Sequence, residues 1–126
     1  MIENCTILYT YSRNEATTDG VLVDVTVAAK QAGFRIAVAV TSAVWAKYVA
    51  IPNGVVGQDE SGRLWDVLWM LSVAIRVNKD ATGYIRYRLH VRNDNRGQPR
   101  LVELKALCGP DDDGAPCITV MLPNED

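Results

Sequence analysis

The sequence predicts an α+β fold: a three-stranded antiparallel meander at the C-terminal end, packed on about three helices, with short N-terminal stretches able to extend the sheet. Two observations carry this. Up to Asn78 the longest apolar segments recur with a helical period, and beyond it apolar and polar residues alternate with a period of two. The connections between the alternating runs, DNRGQP and GPDDDGAP, have the chemistry of hairpin turns.

Taken in order, Ser12 and Glu15 have the spacing of a capping box, which predicts a short helical turn over Arg13 to Thr18. VLVDVT (Val21 to Thr26) is β-branched and short, a strand or a loop laid on the core. Thr26 is placed to cap a helix through VAAKQA that Gly33 stops. FRIAVAV (Phe34 to Val40) is extended by composition. Thr41 or Ser42 opens a second helix, SAVWAKYVA, which Pro52-Asn53-Gly54 ends.

The third helix is the longest. At 100° per residue, Leu64, Val67, Leu68, Leu71 and Ile75 share one face, Trp65 and Trp69 form a flank, and Met70, Val73 and Val77 form the back. Asp66, Ser72 and Arg76 interrupt an otherwise apolar surface. A helix this apolar all round is expected to be central and buried on several sides. Tyr84 to Asn93, Arg100 to Cys108 and Cys117 to Pro123 are the three strands. Their core faces are Ile85, Tyr87, Leu89 and Val91, then Val102, Leu104 and Ala106, then Ile118, Val120 and Leu122. Gly97, Gly109 and Gly114 are the expected left-handed turn positions.

A chain of 126 residues reads as one domain, 1–126, able to bury a core without disulfides or metal. Its net charge of −2 gives no overall attraction to nucleic acid or to acidic membranes. MIENCTILYTYSRN lacks the basic start and apolar run of a signal peptide, and no segment approaches the ~20 apolar residues of a membrane span. Cys5, Cys108 and Cys117 have no metal-type spacing. The expectation is a cytoplasmic protein with reduced thiols and no membrane association.

Asp66 is the first candidate for chemistry. A carboxylate between Trp65 and Trp69 is expected to be desolvated, which raises its pKa unless a cation holds it charged. Arg63, three residues earlier, is the nearest candidate partner. The sequence favours a structural ion pair or a helix-start bond over a general acid in a pocket, because no second catalytic group accompanies it. Trp65 and Trp69, joined by Trp45 from the preceding helix, wall either an ordinary core or a ligand cavity; packing is the favoured reading.

The second candidate is YIRYRLHVR, where alternation sends Arg86, Arg88, His90 and Arg92 to the face opposite the core. A hairpin centred near Arg96-Gly97 sets His90 across from Glu103 and Arg88 across from Lys105. Such a basic row suits phosphate or single-stranded nucleic acid, but only Tyr84 supplies an aromatic ring beside it. A solvated sheet face, blunted by long charged side chains, is favoured. His90 is the one histidine, so no histidine cluster for metal exists, and Asp111 to Asp113 lack the ligand spacing of a calcium loop. Neither a metal nor a cofactor is implied. No phosphate-cradling loop or nucleophile elbow is present.

QDESGRLWDVLWM (Gln58 to Met70), DGVLVDVT (Asp19 to Thr26), AGFRIAVAVTSAVWA (Ala32 to Ala46) and the tail ITVMLPNED (Ile118 to Asp126) resemble a family of small uncharacterised bacterial proteins encoded on plasmids, integrative elements and other mobile gene contexts. The resemblance spans nearly the whole chain and transfers no activity and no catalytic residues. It implies a cytoplasmic accessory protein of a mobile element, with the tryptophan-rich passages and the acidic tail as its binding surfaces.

Three functions are then open. The first is a non-enzymatic interaction protein that binds a protein partner or itself. The second is a small-ligand-binding domain or enzyme with a pocket near Asp66 and the tryptophans. The third is a nucleic-acid binder using Arg86, Arg88 and Arg92.

Overall fold

Five extended segments build one sheet. The computed structural model describes residue 17 and residues 20–78, 83–94 and 98–125. The strands are β1 (Leu22–Asp24), β2 (Ala37–Thr41), β3 (Tyr84–Val91), β4 (Arg100–Pro110) and β5 (Pro116–Met121). Between them lie α1 (Thr26–Gln31), α2 (Ser42–Val44), which continues as a π-helical turn over Trp45–Val49, and α3 (Glu60–Val77).

The fold is α+β, as the sequence predicts, but the sheet is larger and mixed. Its order is β1-β2-β5-β4-β3. β3, β4 and β5 form the expected antiparallel meander. β5 then lies between β4 and β2 and runs parallel to β2, with Ala37 beside Cys117 and Val40 beside Val120. β1 closes the far edge antiparallel to β2, with Leu22 opposite Thr41. A three-stranded meander thus gives way to five mixed strands. Composition marks β2 as extended and alternation marks β5 as a strand, but their parallel pairing is a long-range contact that local pattern does not encode.

Local chemistry accounts for most boundaries. Thr41 caps α2, its Oγ1 accepting from the Val44 N–H at 3.2 Å, and the π turn closes with the Ala50 N–H donating to the Trp45 carbonyl at 2.8 Å. Gly33, at φ 101°, supplies the left-handed residue after α1. Thr26 does not cap α1. Val25 holds that position without a side-chain bond, while the Thr26 hydroxyl exchanges contacts with the Val38 backbone at 3.2 and 3.3 Å and fastens α1 to β2.

In the β4–β5 turn, Asp111 Oδ1 accepts the N–H groups of Asp113 and Ala115, both at 2.9 Å. That is a side-chain-organised turn and the structural role of the aspartate run. Gly114 is left-handed at φ 85°; Gly109 is not, because β4 continues through it. Gly97 lies outside the described residues, as does the turn expected over Arg13 to Thr18 apart from Thr17.

The main core lies between α3 and the sheet. Val67, Leu68, Leu71, Val38, Leu104 and Val120 are fully enclosed there, and the predicted core faces of β3, β4 and β5 all point into it. Tyr87, on β3, donates its hydroxyl to the Val67 carbonyl at 3.0 Å, tying helix to sheet. Its phenol pKa is pushed far up by that burial. The centre of the opposite sheet face is buried too, through Ala39, Lys105, Leu107, Thr119 and Met121.

The acidic tail, through Glu125, folds back onto β2 and β4 on either side of β5 and is not a free surface there. Glu125 Oε2 accepts from the Thr41 hydroxyl at 2.8 Å and the Leu122 N–H at 2.7 Å, and Lys105 Nζ donates to the Glu125 carbonyl. Cys108 carries a free thiol. Among the described residues, no helix is long and apolar enough to cross a membrane.

Candidate functional site

α3 begins with an N-cap that fixes everything after it. Asp59 Oδ1 accepts the Gly62 N–H at 2.6 Å. A Cβ at position 62 would sit 2.9 Å from the same oxygen, which accounts for a glycine one turn into a helix. The next residue, Arg63, turns inward and is 6% exposed.

Among the described residues, its guanidinium meets no carboxylate. Nε donates to the Tyr48 carbonyl at 3.0 Å, Nη1 to Gln58 Oε1 at 3.0 Å and the Arg92 carbonyl at 2.8 Å, and Nη2 to Asn93 Oδ1 at 2.5 Å. Asn93 Nδ2 in turn donates to the Lys47 carbonyl at 3.0 Å. The start of α3, the π turn and the end of β3 are therefore clamped on one planar cation, whose pKa burial lowers. Sequence reasoning paired Arg63 with Asp66 by helical proximity and missed this network. Carbonyls left open at the ends of two other elements compete for the same donors, and the inward-facing side of α3 delivers Arg63 to them.

Asp66 is consequently without a partner among the described residues. It sits on the exposed side of α3, its carboxyl pKa raised by partial desolvation. The expected ion pair with Arg63 is not formed. Asp66 and Trp65 border an open cleft of about 550 Å³, which Gly57, Gln58 and Arg63 also line. Neither Trp45 nor Trp69 reaches that cleft.

The tryptophans divide. Trp45 is half-buried and packs against the core, in a separate apolar recess with Val23 and Leu64. Trp65 and Trp69 remain 41% and 38% exposed and stack on each other, ring centroids 5.6 Å apart and planes 10° from parallel. Arg76 lies over the Trp69 ring at 5.3 Å. The favoured packing role for these two indoles and the expected three-indole cluster are both overturned.

Reading along the helix, Trp65, Trp69, Val73 and Val77 recur at i, i+4, i+8 and i+12. They form one ridge that begins at the two indoles on the outer side of α3 and winds toward β3 at Val73 and Val77. Val77 is 73% exposed, and Ile75, expected in the core, is 42% exposed because it borders an open apolar pocket with Ile36, Ile85 and Ile118. The helix is central in the chain but buried on one side. A signal for this was present: Gly62, Asp66 and Arg76 fall on the same arc as the two indoles, and polar residues on an apolar arc mark it as outward.

Beside the ridge, a groove of about 540 Å³ separates α3 from the edge strand β3, walled by Met70, Val73, Val77, Ile85, Arg86 and Arg88. Arg86, Arg88 and His90 face outward as alternation predicts, and Arg92 follows just beyond the strand. The register differs by two from that expected: Arg86 opposes Lys105, Arg88 opposes Glu103 and His90 opposes Leu101. Arg86 Nη1 reaches Glu103 diagonally at 3.0 Å, and its Nε donates to the Tyr84 hydroxyl at 2.6 Å. Those two partners hold its guanidinium pKa above the usual value, Tyr84 first. Arg92 Nε is bonded to the Asp94 carbonyl at 2.9 Å. Among the described residues, no three His, Cys, Asp or Glu side chains gather to hold a metal.

Comparison with known proteins adds the family and no activity. A model described as a family of unknown function, DUF6573, matches residues 1–126. No curated protein matches and no solved structure matches. With its whole length matched, the chain belongs to the DUF6573 family of unknown function.

Proposed function

We propose that this protein is a non-enzymatic, cytoplasmic interaction protein that binds a protein partner or itself through the outer ridge of α3, in the service of a mobile genetic element. The observation that carries the reading is the solvent-facing stack of Trp65 and Trp69, followed along the helix by half-buried Val73 and exposed Val77. Large aromatics left half-exposed beside an arginine are the composition of an interface centre, where Trp and Arg contribute most of the binding energy. Contiguous apolar surface of this kind marks interaction sites on soluble chains. The mobile-element setting rests on the sequence resemblance alone.

The polar groups nearby support binding over catalysis. Asp59 is spent on the helix cap and Arg63 on its carbonyl clamp, so Asp66 has no adjacent acid or base to work with. The ligand-pocket alternative retains the open cleft beside Asp66 and Trp65. The nucleic-acid alternative draws less support, since Arg86 is already committed to Glu103 and Tyr84.

The test is affinity purification from the native host, with wild type compared to a Trp65→Ala/Trp69→Ala variant of matched thermal stability. The expected result is a protein, either this chain or another, retained by wild type and lost by the variant. Identical retention by both would overturn the ridge as the docking face.

A further inference from the structure

We infer that the occupant of the ridge is a second copy of this chain, its α3 packed antiparallel to the first about a two-fold axis level with Leu71; this rests on the docking role proposed for the ridge. The ridge is complementary to itself when reversed. Its N-terminal half carries the two flat indoles, Trp65 and Trp69, and its C-terminal half the two small valines, Val73 and Val77. Position 71 is the midpoint of both the 65/77 and the 69/73 pairs, so reversal lays indoles over valines along the whole contact. Parallel pairing stacks bulk on bulk at one end and leaves a gap at the other.

Charge selects the same direction. Asp59, Glu60 and Asp66 make the N-terminal half of α3 acidic, and Arg76 makes the exposed C-terminal end basic. Asp66 and Arg76 lie five positions to either side of Leu71, so a two-fold axis there brings each acidic end to the partner's basic end. The helix dipoles also oppose each other favourably. Such an interface is isologous, with one patch used twice.

The long edge strand β3 is another self-pairing route, and its own charges argue against it. Opposed residues in an antiparallel pair share a face, so joining β3 to its copy would set the Arg86, Arg88 and His90 row against itself. Like charges directly opposite are unfavourable. The helix ridge has no such penalty.

Sedimentation equilibrium from low micromolar to submillimolar protein tests this. Wild type should self-associate. D66R alone, or R76D alone, should weaken association by about tenfold or more, as facing like charges do. An equimolar mixture of the two variants should recover it, because each mixed contact pairs opposite charges at both ends. D66N and R76Q, milder changes at exposed positions, serve if either reversal perturbs folding; each should weaken association, and their mixture should recover part of it, because one of its two contacts again sets Arg76 against Asp66. In a parallel arrangement Asp66 faces Asp66 and Arg76 faces Arg76, so D66N or R76Q would strengthen association, and that result overturns the inference. A wild type monomeric throughout overturns it as well. If host purification still shows a ridge-dependent partner in that case, the second copy fails while the docking role stands; if it shows none, both fail.

Discussion

Trp65 and Trp69 stack face to face on the outside of α3, 5.6 Å between ring centroids, with Arg76 laid over the second ring. The pair gains a stacking contact from its i, i+4 spacing while exposing two of the largest apolar side chains in the molecule. The contribution of Trp69 to folding is therefore limited.

Trp69→Ala should lower stability by about 0.5–1.5 kcal/mol, the range for losing a stacked, half-exposed aromatic. Urea unfolding checks this. A loss of about 3–5 kcal/mol, the value for a buried tryptophan, would place the indole in the core instead.

Arg63 should behave in the opposite way. Arg63→Met removes four donor contacts from the Tyr48, Arg92, Gln58 and Asn93 oxygens, and should cost about 2–4 kcal/mol. Arg63→Lys should recover little, since an ammonium cannot reproduce the planar fork. Equal stability of the lysine variant and wild type by thermal unfolding would contradict the clamp.

Asp66 gives a pH signature. Its folded pKa is raised, so the fold prefers the protonated form; that preference is fully present below the unfolded value and is lost as pH rises through the folded one. Asp66→Asn should therefore match wild type near pH 3 and exceed it modestly at pH 7. The gap should stay under about 1 kcal/mol because the carboxylate remains largely solvated. A variant less stable than wild type at pH 7 alone would signal a stabilising partner for the carboxylate.

Glu125→Ala should release the tail from the sheet. Loss of the Thr41 hydroxyl and Leu122 N–H contacts should cost about 1–2 kcal/mol, typical of bonds to a charged acceptor. It should also speed amide exchange at Leu122. Unchanged exchange there would mean that the backbone contact from Lys105 holds the tail by itself.

What was legible in the sequence follows the range of the forces involved. Inward residues of β3, β4 and β5 were readable because alternation is local and one face is packed. The caps at Thr41 and Gly33 were readable for the same reason. The parallel seating of β5 beside β2 was not, since it joins residues some eighty positions apart. The site was legible as residues but not as geometry. Composition identified Trp65, Trp69 and Asp66 as unusual neighbours, yet apolar content alone does not say which side of a helix is covered. Arg63 illustrates the remaining gap, where a partner three residues away lost to carbonyls delivered by distant segments.

The central claim, that the Trp65–Trp69 ridge is open in the isolated chain and covered in its complex, is tested most directly by acrylamide quenching of a Trp45→Phe variant. Of the three tryptophans, that substitution leaves only the two ridge indoles to report. Quenching should be efficient in dilute protein, with marked protection at concentrations where the chain associates or its partner is added. Protection already complete in the dilute, monomeric chain would show the ridge covered by its own fold, and would contradict the account.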